Sequence, residues 1–218
     1  MPGAVIVYGA GGLGREVLQI VRAMPNARVL GYADDGVPPG TERNGARVLG
    51  GAEYLDTLDG PFSVVMGISD PNVKRGIFDR LSRNPLVSFP NVLHPRAMVS
   101  EYASLGRGVV ITQSCIVSVD ASLGVGVFLN MGAIVGHDST IGDFSSVMPL
   151  AAISGNVKIG ERCLIGAQSV ILQGTAVGDG CTVGMGAVVI RDVPDGTTVM
   201  GNPAVAKSGR EGAMTPCP

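Results

Sequence analysis

Tryptophan is absent and aromatic residues make up only 4% of the 218-residue chain, whereas glycine reaches 33, a profile that suits tight repeated turns better than a helical bundle. No run of basic residues is present. The 16 Lys and Arg against 18 Asp and Glu leave a formal net charge of −2, which disfavours a nucleic-acid backbone as the partner. The four cysteines, Cys115, Cys163, Cys181 and Cys217, form no CxxC pair, so neither a zinc site nor a disulfide framework is signalled. Mean hydropathy is high at +0.35. Charge-free stretches such as 121–136 nevertheless fall short of a bilayer span and are broken by Gly and Asn. The first residues, MPGAVIVYGAGG, lack a basic start and a small-residue cleavage site, so a soluble, cytoplasmic protein with buried subunit contacts is expected.

What is present is a period. From Val99 to Val189 every sixth residue is Val, Ile or Leu, sixteen in succession. With 45% of the chain hydrophobic, chance gives such a run about a few times in a million. Two residues before each aliphatic the chain favours small side chains, among them Ala97, Cys115, Ala133, Ser139, Ser145, Cys163 and Cys181. The residue after it is often Gly, as at Gly106, Gly124, Gly136 and Gly142, where a corner with positive φ is expected. One such unit cannot bury its aliphatic alone, so successive units have to stack into a solenoid.

The first half reads differently. AVIVY at 4–8 runs into Gly9, Gly11, Gly12 and Gly14 in the order G-x-G-x-x-G, then into REVLQIVRAM with a helical apolar face. Strand, Gly-rich turn and helix imply a phosphate-binding loop at a helix N-terminus. Asp34 and Asp35 close a second strand twenty residues beyond Gly14. About 90 residues precede the repeat, room for one mononucleotide half rather than a full dinucleotide domain. A nucleotide sugar, NAD and a purely structural turn stay open as readings of the glycines. We expect a small α/β domain over 1–90, a β-solenoid over 91–204 and an unpacked tail over 205–218.

The hexapeptide pattern over roughly 93–204 resembles the left-handed β-helix of the hexapeptide-repeat acyltransferases. With GAGGLGREV, GYADD, LHPRA, GHDSTIGDF and GNPA, nearly the whole chain resembles the sugar O- and N-acetyltransferases that join a Rossmann-like half domain to that parallel β-helix. Leu13 stands where the family often has His. The resemblance implies an acetyl-CoA co-substrate, no metal, and a homotrimer with its active sites between subunits. It also implies His137 as general base, since imidazole titrates near neutral pH and the thioester needs only a nucleophile freed of its proton. Asp138 would orient His137, or simply be a solvated turn carboxylate. Gly155, eighteen residues on, offers a backbone N–H to the oxyanion, or is a plain turn glycine. Asn130 falls where relatives acting on nucleotide amino sugars place an Asn near the sugar; a buried asparagine is the alternative. Gly155, Ala167, Asn202 and Pro203 are expected along the CoA groove, and Asp35 would accept from a base N–H. Acetylation of the 4-amino group of a nucleotide-linked dideoxy sugar is the leading expectation. A sialic acid or other sugar O-acetyltransferase is the near rival, and a non-catalytic β-helix binding protein the rival of another class. A zinc β-helix enzyme such as a carbonic anhydrase needs three His, and the chain has two, His94 and His137.

Overall fold

A computed structural model describes residues 3–207. The first apolar run forms β1 (Gly3–Tyr8), and the amphipathic segment after the glycines forms α1 (Gly12–Arg22). They are followed by β2 (Ala27–Ala33), β3 (Glu42–Arg43), β4 (Ala46–Gly50), α2 (Ala52–Leu55), β5 (Phe62–Met66), α3 (Pro71–Leu81) and β6 (Val87–Ser88). The strands lie in the order β3-β4-β2-β1-β5-β6, parallel throughout except for the β3–β4 pair. β1 is apolar on both sides because both faces are covered. Val5 and Val7 meet Val17, Leu18 and Val21 of α1. Ile6 and Tyr8 instead share a core with Leu55 of α2 and with Phe78 and Leu81 of α3. Asp70 caps α3 by accepting from the Asn72 and Val73 N–H groups at 2.9 Å, with Pro71 in the first turn. α1 has no side-chain cap, so its N-terminus stays open behind the Gly-rich turn.

From Val92–Leu93 onward the chain winds as a left-handed β-helix of two-residue strands. Residues eighteen apart pair in parallel, Ile111 on Leu129, Val117 on Val135 and Leu123 on Ile141. Three parallel sheets result, one per face of the prism. The periodic aliphatics fill the interior with the small residues of the companion slot, Cys115, Ala133, Ala151 and Cys163 among them. Each buried Leu or Ile contributes about 1.5–3 kcal/mol, so the column of aliphatics is the main source of stability here.

The corners correct the sequence-based expectation about glycine. Positive φ falls three residues after each aliphatic, at every sixth residue from Gly108 to Gly186, and non-glycine residues such as Asp138, Phe144 and Leu150 adopt it. The glycines directly after the aliphatic do not. They are required because the coils approach closely: a Cβ on Gly136 would lie 2.6 Å from the Gly155 nitrogen, and one on Gly142 would lie 2.6 Å from the Glu161 nitrogen.

The three outer faces differ. Val92, Val110 and Phe128 on the first are buried in the core that holds α1. The second presents Met98, Ile116, Ile134 and Val170 to solvent. The third carries Ser104, Ser122, Thr140 and Lys158. Beyond Thr198–Met200, a short strand at Val205–Ala206 pairs back antiparallel, so the segment expected as a tail begins with a strand. Residues 208–218, including Cys217, lie outside the described residues.

The two units are pinned by Lys74 of α3. Fully buried, its Nζ donates to Ser146 Oγ at 2.9 Å and to the Ser145 carbonyl at 3.4 Å. Burial pulls its amine down from the ordinary 10.5 to about 7, with Asp70 opposing. Below pH 7 the folded and unfolded chains both hold the proton, and the burial penalty is complete. Between that point and 10.5 only the unfolded chain holds it, so stability rises with pH across the window. The stability of Lys74→Met relative to wild type is therefore expected to be greatest below pH 7. It should fall by about 3 kcal/mol by pH 9.5, at roughly 1.4 kcal/mol per unit, in urea melts across that range.

Candidate active site

His137 projects from the edge between the second and third faces, with 51% of its side chain exposed. The corner holds the next residue, Asp138, at φ 57°, which folds its carboxylate back onto the ring. Asp138 Oδ2 lies 2.7 Å from His137 Nδ1. A carboxylate there holds the proton on Nδ1 and leaves the Nε2 lone pair free to accept one. Gly155 is one coil along the same edge. A Cβ on Gly155 would strike the imidazole, with Cδ2 at 2.9 Å and Nε2 closer still. The absent side chain thus makes room for the ring, and it sets Nε2 beside a main-chain N–H from which no group among the described residues accepts.

The other expected residues lie elsewhere. Asn130 is 6% exposed, on the edge between the first and second faces, and its Oδ1 accepts from the Met131 N–H at 2.8 Å. Ala167 occupies the same edge as Asn130, across the second face from His137. Asn202 and Pro203 sit in the exposed turn after Thr198–Met200, where the Val188 N–H reaches the Gly201 carbonyl, nearly four coils along the axis from His137. Within one chain the structure joins His137, Asp138 and Gly155, and it does not bring Asn130, Ala167, Asn202 or Pro203 to them. His94 lies on the Asn130 edge and uses Nδ1 to accept from the Arg96 N–H at 3.0 Å, a turn-forming role.

In the first unit the glycines divide. Gly9 has φ +104°, and a Cβ on Gly14 would collide with the Gly9 carbonyl, so these two serve the strand-to-helix turn. Gly11 has nothing within 4 Å of a would-be Cβ, and Gly12 has only the Arg15 guanidinium at 3.9 Å. Their bareness opens space in front of α1. Leu13 packs partly into the core with α1. Asp34 accepts from the Ala10 N–H at 2.7 Å and from Gly36 and Val37 at 2.9 and 3.0 Å. Asp35 accepts from Tyr8 Oη at 2.6 Å and from the Ala52 N–H at 2.9 Å. Burial and that bond to Asp35 raise the Tyr8 phenol well above its usual range. Both carboxylates thus shape the floor of the loop, and a ligand finds every oxygen already engaged, Asp34 Oδ1 twice.

Cys115, Cys163 and Cys181 are buried, and burial pushes each thiol up, Cys163 to about 11, so none is a ready thiolate. Among the described residues no group of three or more His, Cys, Asp or Glu is placed to hold a metal, and no helix is long and apolar enough to cross a membrane. Sequence reasoning read Ser139 only as a small packing residue. Its hydroxyl ties the His137 corner to the Gly155 corner, at 2.8 Å from the Ser154 carbonyl. A polar residue in a slot that holds Ala103, Ala121 and Val157 on neighbouring coils of this edge, with Thr175 the other exception, is the signal that marks it.

A Rossmann-like half domain packed on a left-handed β-helix, with a His at a corner over a glycine N–H, defines a hexapeptide-repeat acyltransferase. Family models agree on both halves: "PglD N-terminal domain" matches 4–81, "Bacterial transferase hexapeptide (six repeats)" 138–173, and "Hexapeptide repeat of succinyl-transferase" 156–191. The acetyltransferase domain of PglB from Neisseria gonorrhoeae is 33% identical, covers 94% of this chain and 99% of its own, and superposes with a TM-score of 0.88. PerB from Caulobacter crescentus, solved with CoA and GDP-perosamine, is 30% identical over 94% of this chain and 98% of its own, with a TM-score of 0.85. WeeI from Acinetobacter baumannii is 29% identical over 94% and 100%, with a TM-score of 0.87. No curated protein matches the chain by sequence. The chain belongs to the hexapeptide-repeat sugar acetyltransferases that carry a PglD-type N-terminal domain.

Proposed function

We propose that the protein transfers the acetyl group of acetyl-CoA to the 4-amino group of a nucleotide-linked dideoxy sugar. The observation that carries this reading is the His137 imidazole, fixed by Asp138 and laid over Gly155, on a chain similar from end to end to PerB, whose structure holds CoA and GDP-perosamine. Acetyl-CoA is the co-substrate. The sugar amine attacks the thioester carbonyl, and the Gly155 N–H stabilises the oxyanion that forms. His137 Nε2 takes the proton from the nitrogen and returns it to the departing CoA sulfur, so amide and free thiol are the products. The bare Gly11 and Gly12 and the open end of α1 receive the nucleotide phosphates, with Asp34 and Asp35 holding the loop in shape.

We further propose a homotrimer. The exposed column Met98, Ile116, Ile134 and Val170 is a continuous apolar face, and it is flanked by the His137 edge and by the Asn130 and Ala167 edge, where Leu150, Leu172 and Met185 extend it. A second copy covering that face sets the Ala167 edge of one chain beside the His137 edge of the next. The CoA groove then runs between chains toward Asn202 and Pro203, with Asn130 on the facing edge.

The decisive assay is CoA thiol release from acetyl-CoA with UDP- and GDP-linked 4-amino sugars, the matched 4-hydroxy sugars and free sialic acid. Turnover confined to a nucleotide-linked amino sugar is expected. Turnover on hydroxyl acceptors alone makes the protein an O-acetyltransferase, and silence with failure to bind acetyl-CoA leaves a binding protein.

A further inference from the structure

We infer that Ser139 is a positioning residue that orients and strengthens the Gly155 N–H as oxyanion donor; this rests on the proposed roles of His137 and Gly155. Ser139 is fully buried. Its Oγ accepts from the Val157 N–H at 3.1 Å and donates to the Ser154 carbonyl at 2.8 Å. The Ser154 carbonyl and the Gly155 N–H are the two ends of one peptide unit. Hydrogen bonds in series polarise one another, so a donor on the carbonyl makes the N–H of the same unit a better donor. The series runs from the Val157 N–H through the Ser139 hydroxyl to the Gly155 N–H, and it ends beside the His137 ring.

Equivalent slots on the other edges show what is particular about this one. Ser145 donates to the Gly160 carbonyl at 2.7 Å, Cys163 to Gly178 at 3.0 Å and Cys115 to Asn130 at 3.1 Å. In each case the N–H of that peptide unit is then capped: Glu161 by Asp179, Asp179 by Asp195, and Met131 by the Asn130 side chain. Cys181 repeats the device on the Pro194 carbonyl at 3.0 Å, where the Asp195 N–H is also uncapped but no imidazole stands beside it, so of five such units only the Gly155 one is both uncapped and next to a histidine ring. At Gly155 no acceptor is supplied among the described residues, and the polarised N–H is left for a ligand.

The test compares Ser139→Ala with Ser145→Ala, which loses the matching pair of bonds to Gly160 and Cys163 at a capped corner. Kinetics use acetyl-CoA with GDP-perosamine or its UDP-linked counterpart, whichever turns over. Both variants should melt a few degrees lower. Only Ser139→Ala should lose kcat, by about 10-fold, a fraction of the 10²–10³ that removal of an oxyanion donor costs. Its KM for acetyl-CoA should stay within about twofold, and the pH midpoint of kcat/KM should not move, since Asp138 still holds the imidazole. Ser139→Cys, with the weaker donor found at Cys163, should fall between. Equal kcat for the two alanine variants, a loss confined to KM, or a shifted pH midpoint overturns the inference. If Ser139→Ala does not fold, a Ser139→Cys with wild-type kcat overturns it. Full turnover by His137→Ala would instead overturn the reading of the edge itself.

Discussion

His137→Ala is expected to lower kcat about 10³-fold while changing KM for acetyl-CoA little. A positioned general base contributes 10²–10⁴, and no second side chain on this edge replaces it. His94, the other histidine, is on a different edge and uses Nδ1 in its own turn. Half-exposed and bonded only through Asp138, the His137 ring holds none of the interior together. The melting temperature should therefore stay within about 2 °C of wild type, as for most surface substitutions. Steady-state thiol release and a thermal melt decide it, and a variant that retains more than a tenth of wild-type kcat contradicts the assignment of the base.

Gly155→Ala should cost kcat on the order of 10²-fold although it adds a single methyl group. That methyl occupies the place of the imidazole, so the ring has to rotate away and Nε2 leaves the N–H it works beside. Gly155 is not among the residues with positive φ, so alanine fits the backbone, and the damage falls on alignment rather than on folding. The double variant His137→Ala with Gly155→Ala supplies the sharp test. With the ring gone the methyl has nothing to displace, and the pair should be no slower than His137→Ala alone. Additive losses would show that Gly155→Ala acts through something other than His137. Gly136→Ala makes a useful contrast, since its methyl presses on the Ser154 and Gly155 backbone and should lower the melting temperature instead.

The juxtaposition of His137 and Gly155 was legible because it obeys the period. A count of eighteen from His137 to Gly155 places them on one edge, and the structure lays the ring over that glycine. The same count was silent about Asn130, seven residues before His137, which the winding carries to another edge and buries. The glycines after each aliphatic were legible in position but not in cause. Sequence suggests backbone conformation, whereas the demand comes from a neighbouring coil eighteen residues away. Asp34 and Asp35 read as ligand-binding acids at a strand end, and their engagement with Ala10, Tyr8 and Ala52 depends on a sheet order that single-segment patterns do not contain.

By itself the sequence determined the solenoid, its bore and its length, because a sixfold aliphatic period has to bury one side chain per strand and stacking is the way to do it. It likewise determined the strand, Gly-rich turn and helix at the start. Only the tertiary structure decided which faces are used: the first buried under the N-terminal unit and pinned by Lys74 on Ser146, the second left apolar and open, the third left polar. It also decided which corner N–H groups are capped by a side chain and which, Gly155 among them, are not. Capping depends on a side chain from the next coil reaching back to a particular peptide, and that distance is set by packing across the coil rather than by any local preference.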